Sequence, residues 1–96
     1  MVGAVRKYRL DSARIITVIQ QIQEDLIPIV RRIPGFQGFY VLNKEGIVAT
    51  VCLFADPRRL HEADEAAAAW MQNLGSSVVL LSEEVVVGSV VVEAFE

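Results

Sequence analysis

The chain has 96 residues with 9 basic and 12 acidic side chains, a net charge of −3. That balance weighs against a duplex-binding face, which would concentrate positive charge, and the length suits a single domain over 1–96 with no room for two. One cysteine, Cys52, excludes a disulfide framework within the chain. The longest uncharged stretch, Ala66 to Ser82, is broken by Gln72, Asn73, Gly75, Ser76 and Ser77 and falls short of the ~20 apolar residues a membrane span needs. Arg6, Lys7 and Arg9 run straight into Asp11 rather than into the apolar segment of a signal peptide, so a cytoplasmic protein is expected.

Val2 to Leu10 reads as a first strand, with Ala4, Arg6, Tyr8 and Leu10 on one side and Val5, Lys7 and Arg9 on the other. Asp11 and Ser12 offer N-cap oxygens for a helix. Ile15, Ile19, Ile22, Leu26, Ile29 and Ile33 then recur at helical spacing and predict one continuous buried stripe, widened by Ile16, Ile27 and Val30. Pro28 lacks a backbone donor and its ring crowds the carbonyl of Glu24, which predicts a bent helix. Pro34-Gly35 ends it.

Phe36 to Asn43 is the second predicted strand and Ile47 to Phe54 the third, joined by a hairpin turn at Asn43-Lys44-Glu45-Gly46. Asp56-Pro57 opens a second helix with the cap and first-turn residues such a helix prefers. Its buried stripe is Leu60, Ala63, Ala67, Trp70 or Met71, and Leu74, and Gly75-Ser76-Ser77 closes it. Val78 to Leu81 reads equally as a short strand or a helix tail. Val85 to Phe95 is the final strand, with a bulge expected at Gly88. This order predicts an α+β, ferredoxin-like βαββαβ fold, an antiparallel sheet with both helices on one face.

The strands are apolar on both sides. Ile47, Ala49, Val51 and Leu53 share one face of the third strand, and Val48, Thr50, Cys52 and Phe54 the other. Val86, Val90 and Val92 alternate with Val85, Val87, Val91 and Phe95 in the last segment. Two helices make one covering layer. A second layer is expected from another copy of the chain, a homodimer in which two sheets meet face to face.

Candidate chemistry is sparse. His61 is the only histidine, beside Arg59 and Glu62, and reads as a surface imidazole without the partners a metal ligand or general base needs. Cys52, in mid-strand with no neighbouring cation, reads as a small core hydrophobe. Trp70 follows Ala66 to Ala69, so a large ring stands beside very small side chains. Tyr8 and Tyr40 bring hydroxyls into apolar surroundings, where buried phenols usually find partners. With Arg6 on the face of Tyr8, these give the expected lining of a small apolar pocket, Arg6, Tyr8, Tyr40 and Trp70. No catalytic residue is assigned. The glycine–aromatic run Gly35 to Val41 lies on the second strand rather than the third, which argues against an RNA-recognition motif. Metal transport lacks a CxxC pair, and the first strand-to-helix bend, Asp11-Ser12-Ala13-Arg14, lacks the glycine of a phosphate loop or an ACT-type regulatory module.

The run Ile27-Pro28-Ile29-Val30-Arg31-Arg32-Ile33-Pro34-Gly35-Phe36-Gln37-Gly38-Phe39-Tyr40 carries a family likeness, together with Thr50 to Phe54, the alanine-rich helix to Trp70 and Val87-Gly88. It resembles the antibiotic-biosynthesis-monooxygenase-like branch of the dimeric α/β-barrel superfamily. The resemblance implies a dimeric α/β barrel with a pocket between sheet and helices in each subunit. It also implies oxidation of aromatic or quinol molecules without metal, flavin or other cofactor in some members, haem degradation in others, and none known in many. The haem-degrading pattern asks for an asparagine on the first strand and a histidine after the tryptophan; here the strand has no asparagine and His61 precedes Trp70. Two functions stay open: a cofactor-independent monooxygenase acting on a small aromatic or quinol substrate, and a non-catalytic dimer that either binds a small apolar or aromatic ligand or has a stress-related role. Neither membrane nor nucleic acid is an expected partner.

Overall fold

A computed structural model describes residues 1–75, 78–80 and 86–94. Strand β1 is Val2–Leu10, β2 Phe36–Lys44, β3 Ile47–Phe54, β4 Val78–Leu80 and β5 Val86–Ser89. Helices α1 (Ile15–Gln21) and α2 (Ile27–Arg31) form the first helical segment, entered through a 3-10 turn at Ser12–Arg14, and α3 is Pro57–Gln72. The sheet runs β2-β3-β1-β4 with every pairing antiparallel, the ferredoxin-like order. Segments β4 and β5 both pair with β1, β4 opposite Tyr8 to Leu10 and β5 opposite Val2 to Val5. No described helix is long and apolar enough to cross a membrane.

Local signals in the sequence account for the element ends. Asp11 accepts a hydrogen bond from the Ala13 N–H at 3.1 Å, and Asp56 caps α3 by accepting from the Arg59 N–H at 2.9 Å with Pro57 at the first turn. The β2–β3 hairpin closes on Glu45 (φ 54°) and Gly46 (φ 88°), the two left-handed residues that a tight hairpin matching strand twist requires. Segment 78–80 is strand, and Leu81 lies outside the described residues. Residues 86–89 of the expected final strand are paired, whereas 90–94 are not strand, although the Val90 N–H still donates to the Met1 carbonyl at 2.9 Å; Val85 and Phe95 lie outside the described residues. Gly88 sits in register opposite Gly3; the described irregularity lies instead in β2, between Phe36 and Gly38.

The first helical segment departs from expectation in an instructive way. Ile22–Leu26 is a π turn, and the Ile27 N–H donates to the Ile22 carbonyl five residues back. Pro28 cannot donate and needs room for its ring, and a widened turn supplies both. A π turn acts on the helical face as a one-residue insertion. The buried stripe runs Val18, Ile22, Leu26, Val30, each at most 1% exposed; beyond the π turn Val30 is the buried residue and Ile29 turns outward at 41%, and Ile16, expected on the stripe, is 76% exposed. These four side chains pack on Tyr8, Leu10, Val48 and Phe54, with Leu60, Ala63 and Met71 supplied by α3. Phe36 meets Phe54 edge to face at 5.7 Å.

Among the described residues, only one face of the sheet is covered. Register places Ala4, Arg6, Tyr8 and Leu10 with Val48, Thr50, Cys52 and Phe54 beneath the helices. Val5, Val51 and Leu53 lie on the opposite face with Tyr40, Leu42 and Val86, which are 59%, 61% and 65% exposed.

Cys52 is buried under the helices, and desolvation, with the Asp64 charge as a smaller cause, pushes its thiol up from 9.0 to about 12. The raised value means the folded chain holds a proton that the unfolded chain releases first. That stability is complete below the unfolded thiol's range and is lost as pH climbs through 9.0 toward about 12. In mildly alkaline buffer the folded protein is expected to resist iodoacetamide and to be labelled only on unfolding; prompt labelling of the folded chain would contradict this placement. The π turn is tested by a pair of substitutions. Val30→Ala should lower stability by roughly 2 kcal/mol and Ile29→Ala by less than about 1 kcal/mol, read from urea midpoints, whereas the reverse order would belong to an unbroken α-helix.

Candidate functional site

An open cleft of about 310 Å³ lies between α3 and the β1 edge that β5 occupies, lined by Val2, Arg6, Pro57, Leu60, His61, Asp64, Val87, Gly88 and Ser89. The helical residues fall at 57, 60, 61 and 64, one stripe on the side of α3 that faces β1. Strand alternation puts Arg6 under that stripe, since Ala4 and Tyr8 on either side of it point into the core.

Arg6 and Asp64 form a two-pronged ion pair. The Arg6 Nε–H donates to Asp64 Oδ1 at 2.6 Å and Nη2–H donates to Oδ2. Both side chains are about one-fifth exposed (22% and 20%), so the pair is shielded by the helix yet open to the cleft. The hydrogen bond to Asp64 is the largest influence on the Arg6 guanidinium and raises its pKa. Tyr8, two residues along the strand, is pushed up chiefly by burial, opposed by the Arg6 charge. At the rim, His61 Nε2 lies 2.9 Å from Glu65 Oε1, with both side chains largely in solvent.

The structure separates the four residues expected to line a pocket together. Arg6 lines the cleft. Tyr8 is 4% exposed and belongs to the hydrophobic core, and Trp70 is half-buried against that core, roughly a third of a turn round α3 from Asp64. Tyr40 is on the opposite face of the sheet, paired with Val51 and leaning over Gly38, so that a Cβ there would meet its ring at 3.3 Å. Tyr8 and Tyr40 are thus kept apart by the sheet itself.

Asp64, His61 and Leu60 were not expected in the lining. Leu60 reads from the sequence as part of the buried stripe of α3 and His61 as a surface imidazole, and the strand that faces them is not visible there, because Arg6 and Asp64 are 58 residues apart in sequence. Chemically, the cleft offers apolar walls, a guanidinium with donors to spare beyond the two that Asp64 accepts, and two proton acceptors, Asp64 and His61. Among the described residues no group of three or more His, Cys, Asp or Glu side chains is gathered to hold a metal ion. A shallower depression of about 500 Å³ lies near the hairpin, lined by Lys7, Lys44, Leu42 and Ile47 among others.

No family model matches the sequence, and no curated protein matches it. Solved structures are similar in shape. HapK from Hahella chejuensis superposes with a TM-score of 0.75 at 16% identity, covering 100% of this chain and 98% of that one. SnoaB, a cofactor-independent oxygenase from Streptomyces nogalater, gives 0.75 at 14% identity over 99% and 97%. The monooxygenase from the ActVA-Orf6 gene of Streptomyces coelicolor, solved with nanaomycin D, gives 0.72 at 17% identity over 99% and 91%. At such identities the likeness speaks for architecture. This chain has the antibiotic-biosynthesis-monooxygenase-like fold, a ferredoxin-like α+β sheet with its helices on one side.

Proposed function

We propose that the protein is a cytoplasmic homodimer with one domain per chain, and that each cleft takes a small aromatic or quinol molecule and oxidises it with dioxygen, without a cofactor. The observation that carries this reading is the cleft itself: apolar walls around a shielded Arg6–Asp64 pair. Walls of Val2, Pro57, Leu60 and Val87 suit a flat apolar ring. A ring hydroxyl reaching the ion pair gives its proton to Asp64 or, through the rim, to His61. The oxyanion so formed lies beside the Arg6 guanidinium, which stabilises it. The electron-rich ring then supplies its own electrons to dioxygen: a ring C–H carbon becomes C=O, the oxyanion becomes the second C=O, and the ring hydrogen leaves with the proton taken from the hydroxyl and the other oxygen atom as water. No outside reductant is required. The fold shared with proteins described as a cofactor-independent oxygenase and a monooxygenase supports the same reading.

The dimer rests on the uncovered face, where Tyr40, Leu42 and Val86 are left in solvent beside Val5, Val51 and Leu53. Pairing two such faces would remove a contiguous apolar patch from water.

A second reading, ligand binding without chemistry, is favoured by one observation. The aromatic hydroxyls do not converge on the cleft: Tyr8 is locked in the core and Tyr40 faces away. Oxygen-electrode measurements with a panel of quinols and naphthols separate the two. The oxygenase reading expects uptake with at least one substrate and a loss of about a hundredfold in kcat/KM for Arg6→Gln. Binding with no uptake across the panel would leave only the second reading standing.

A further inference from the structure

The Arg6–Asp64 pair has a consequence for which ligands the cleft accepts, and this inference rests on the cleft being the ligand site. We propose that the pair makes the cleft select ligands presenting a neutral hydroxyl over otherwise equal ligands presenting a carboxylate.

The argument is one of donors, acceptors and charge. A guanidinium carries five N–H donors, and Asp64 occupies one on Nε and one on Nη2. The remaining donors belong to a side chain that lines the cleft. Asp64, also in the lining, keeps lone pairs beyond the two that Arg6 uses. A neutral hydroxyl satisfies both partners at once, donating its O–H to an Asp64 oxygen and accepting an N–H from Arg6. A carboxylate accepts from Arg6 but has no proton for Asp64, so it sets two negative groups against each other. With Asp64 already neutralising Arg6 at close range, the anion meets no net positive charge in return.

Other groups facing the cleft do not reverse this balance. His61 is held at the rim by Glu65, so that edge also carries a carboxylate. Val2, Pro57, Leu60 and Val87 contribute no charge. The preference depends on the pairing of Arg6 with Asp64, not on Arg6 alone, and that gives the inference a signature. Removing the negative charge while keeping the shape should turn Arg6 into an open cation site and invert the order.

The test uses 2-naphthol and 2-naphthoate, which share a ring system and differ in the polar group. Binding is measured to the full-length protein at neutral pH under anaerobic conditions, so that no turnover intervenes. Methyl NMR shifts of Val2, Leu60 and Val87 report whether either probe sits in the cleft. The wild-type protein should bind the naphthol at least about tenfold more tightly, the scale of one charge-assisted hydrogen bond gained or lost. In Asp64→Asn the naphthoate should become the tighter ligand. Naphthoate binding in the wild-type cleft as tightly as naphthol would overturn the inference while leaving the cleft a ligand site. Failure of both probes to move the cleft methyls would overturn the inference and the site reading together. The wild-type comparison decides the matter even if Asp64→Asn does not fold.

Discussion

A single sheet with two apolar faces and, among the described residues, helices on only one of them is the constraint from which the remaining features follow. Burial of apolar surface is the dominant favourable contribution to folding, and here the sequence provides for it twice on the same strands. The helix side is settled within the chain: Val18, Ile22, Leu26 and Val30 close over Val48 and Phe54, all at most 1% exposed. The far side is not covered by the described residues, which leave Tyr40, Leu42 and Val86 more than half in water. A contiguous patch of that kind is uncommon on a protein that works alone. Gly3 belongs to the same arrangement: the Leu53 Cδ2 methyl sits 2.9 Å from where a Cβ would stand, so a side chain there would make Leu53 shift.

Within the helix layer the ion pair is the exception to an otherwise apolar design. Alternation along β1 leaves Arg6 no choice of face, and once under α3 it needs a partner, which Asp64 supplies with both oxygens. Well-packed apolar side chains at two such positions commonly serve stability as well as a shielded ion pair or better. What the charged pair adds is a set of donors and acceptors at the floor of a cleft, in surroundings less polar than water, where each hydrogen bond counts for more. That makes it the most informative chemical feature of the molecule.

Much of the architecture was legible in the sequence for local reasons. Asp11, Asp56-Pro57 and Pro34-Gly35 mark element ends through capping and backbone conformation, which depend on neighbours along the chain; the hairpin turn read at Asn43-Lys44-Glu45-Gly46 is confined to Glu45-Gly46, because Asn43 and Lys44 still pair in β2. The two-sided strands were equally plain. What escaped was whatever depended on register. Pro28 signalled a disturbance, but Ile29 and Val30 both read as part of the stripe, and only the widened turn decides that Val30 is buried and Ile29 is not. Tyr8 and Tyr40 could be assigned to alternating sides of their own strands, yet only the β1–β3–β2 pairing shows that they point to opposite faces. The Arg6–Asp64 pair joins strand and helix across 58 residues, and nothing local announces it.

The claim that the uncovered face is completed by a second copy can be tested on the intact protein by light scattering across a dilution series. A mass twice the chain's 10.6 kDa, persisting until dilution separates folded subunits, is the predicted result. A well-folded particle of 10.6 kDa at every concentration would contradict it.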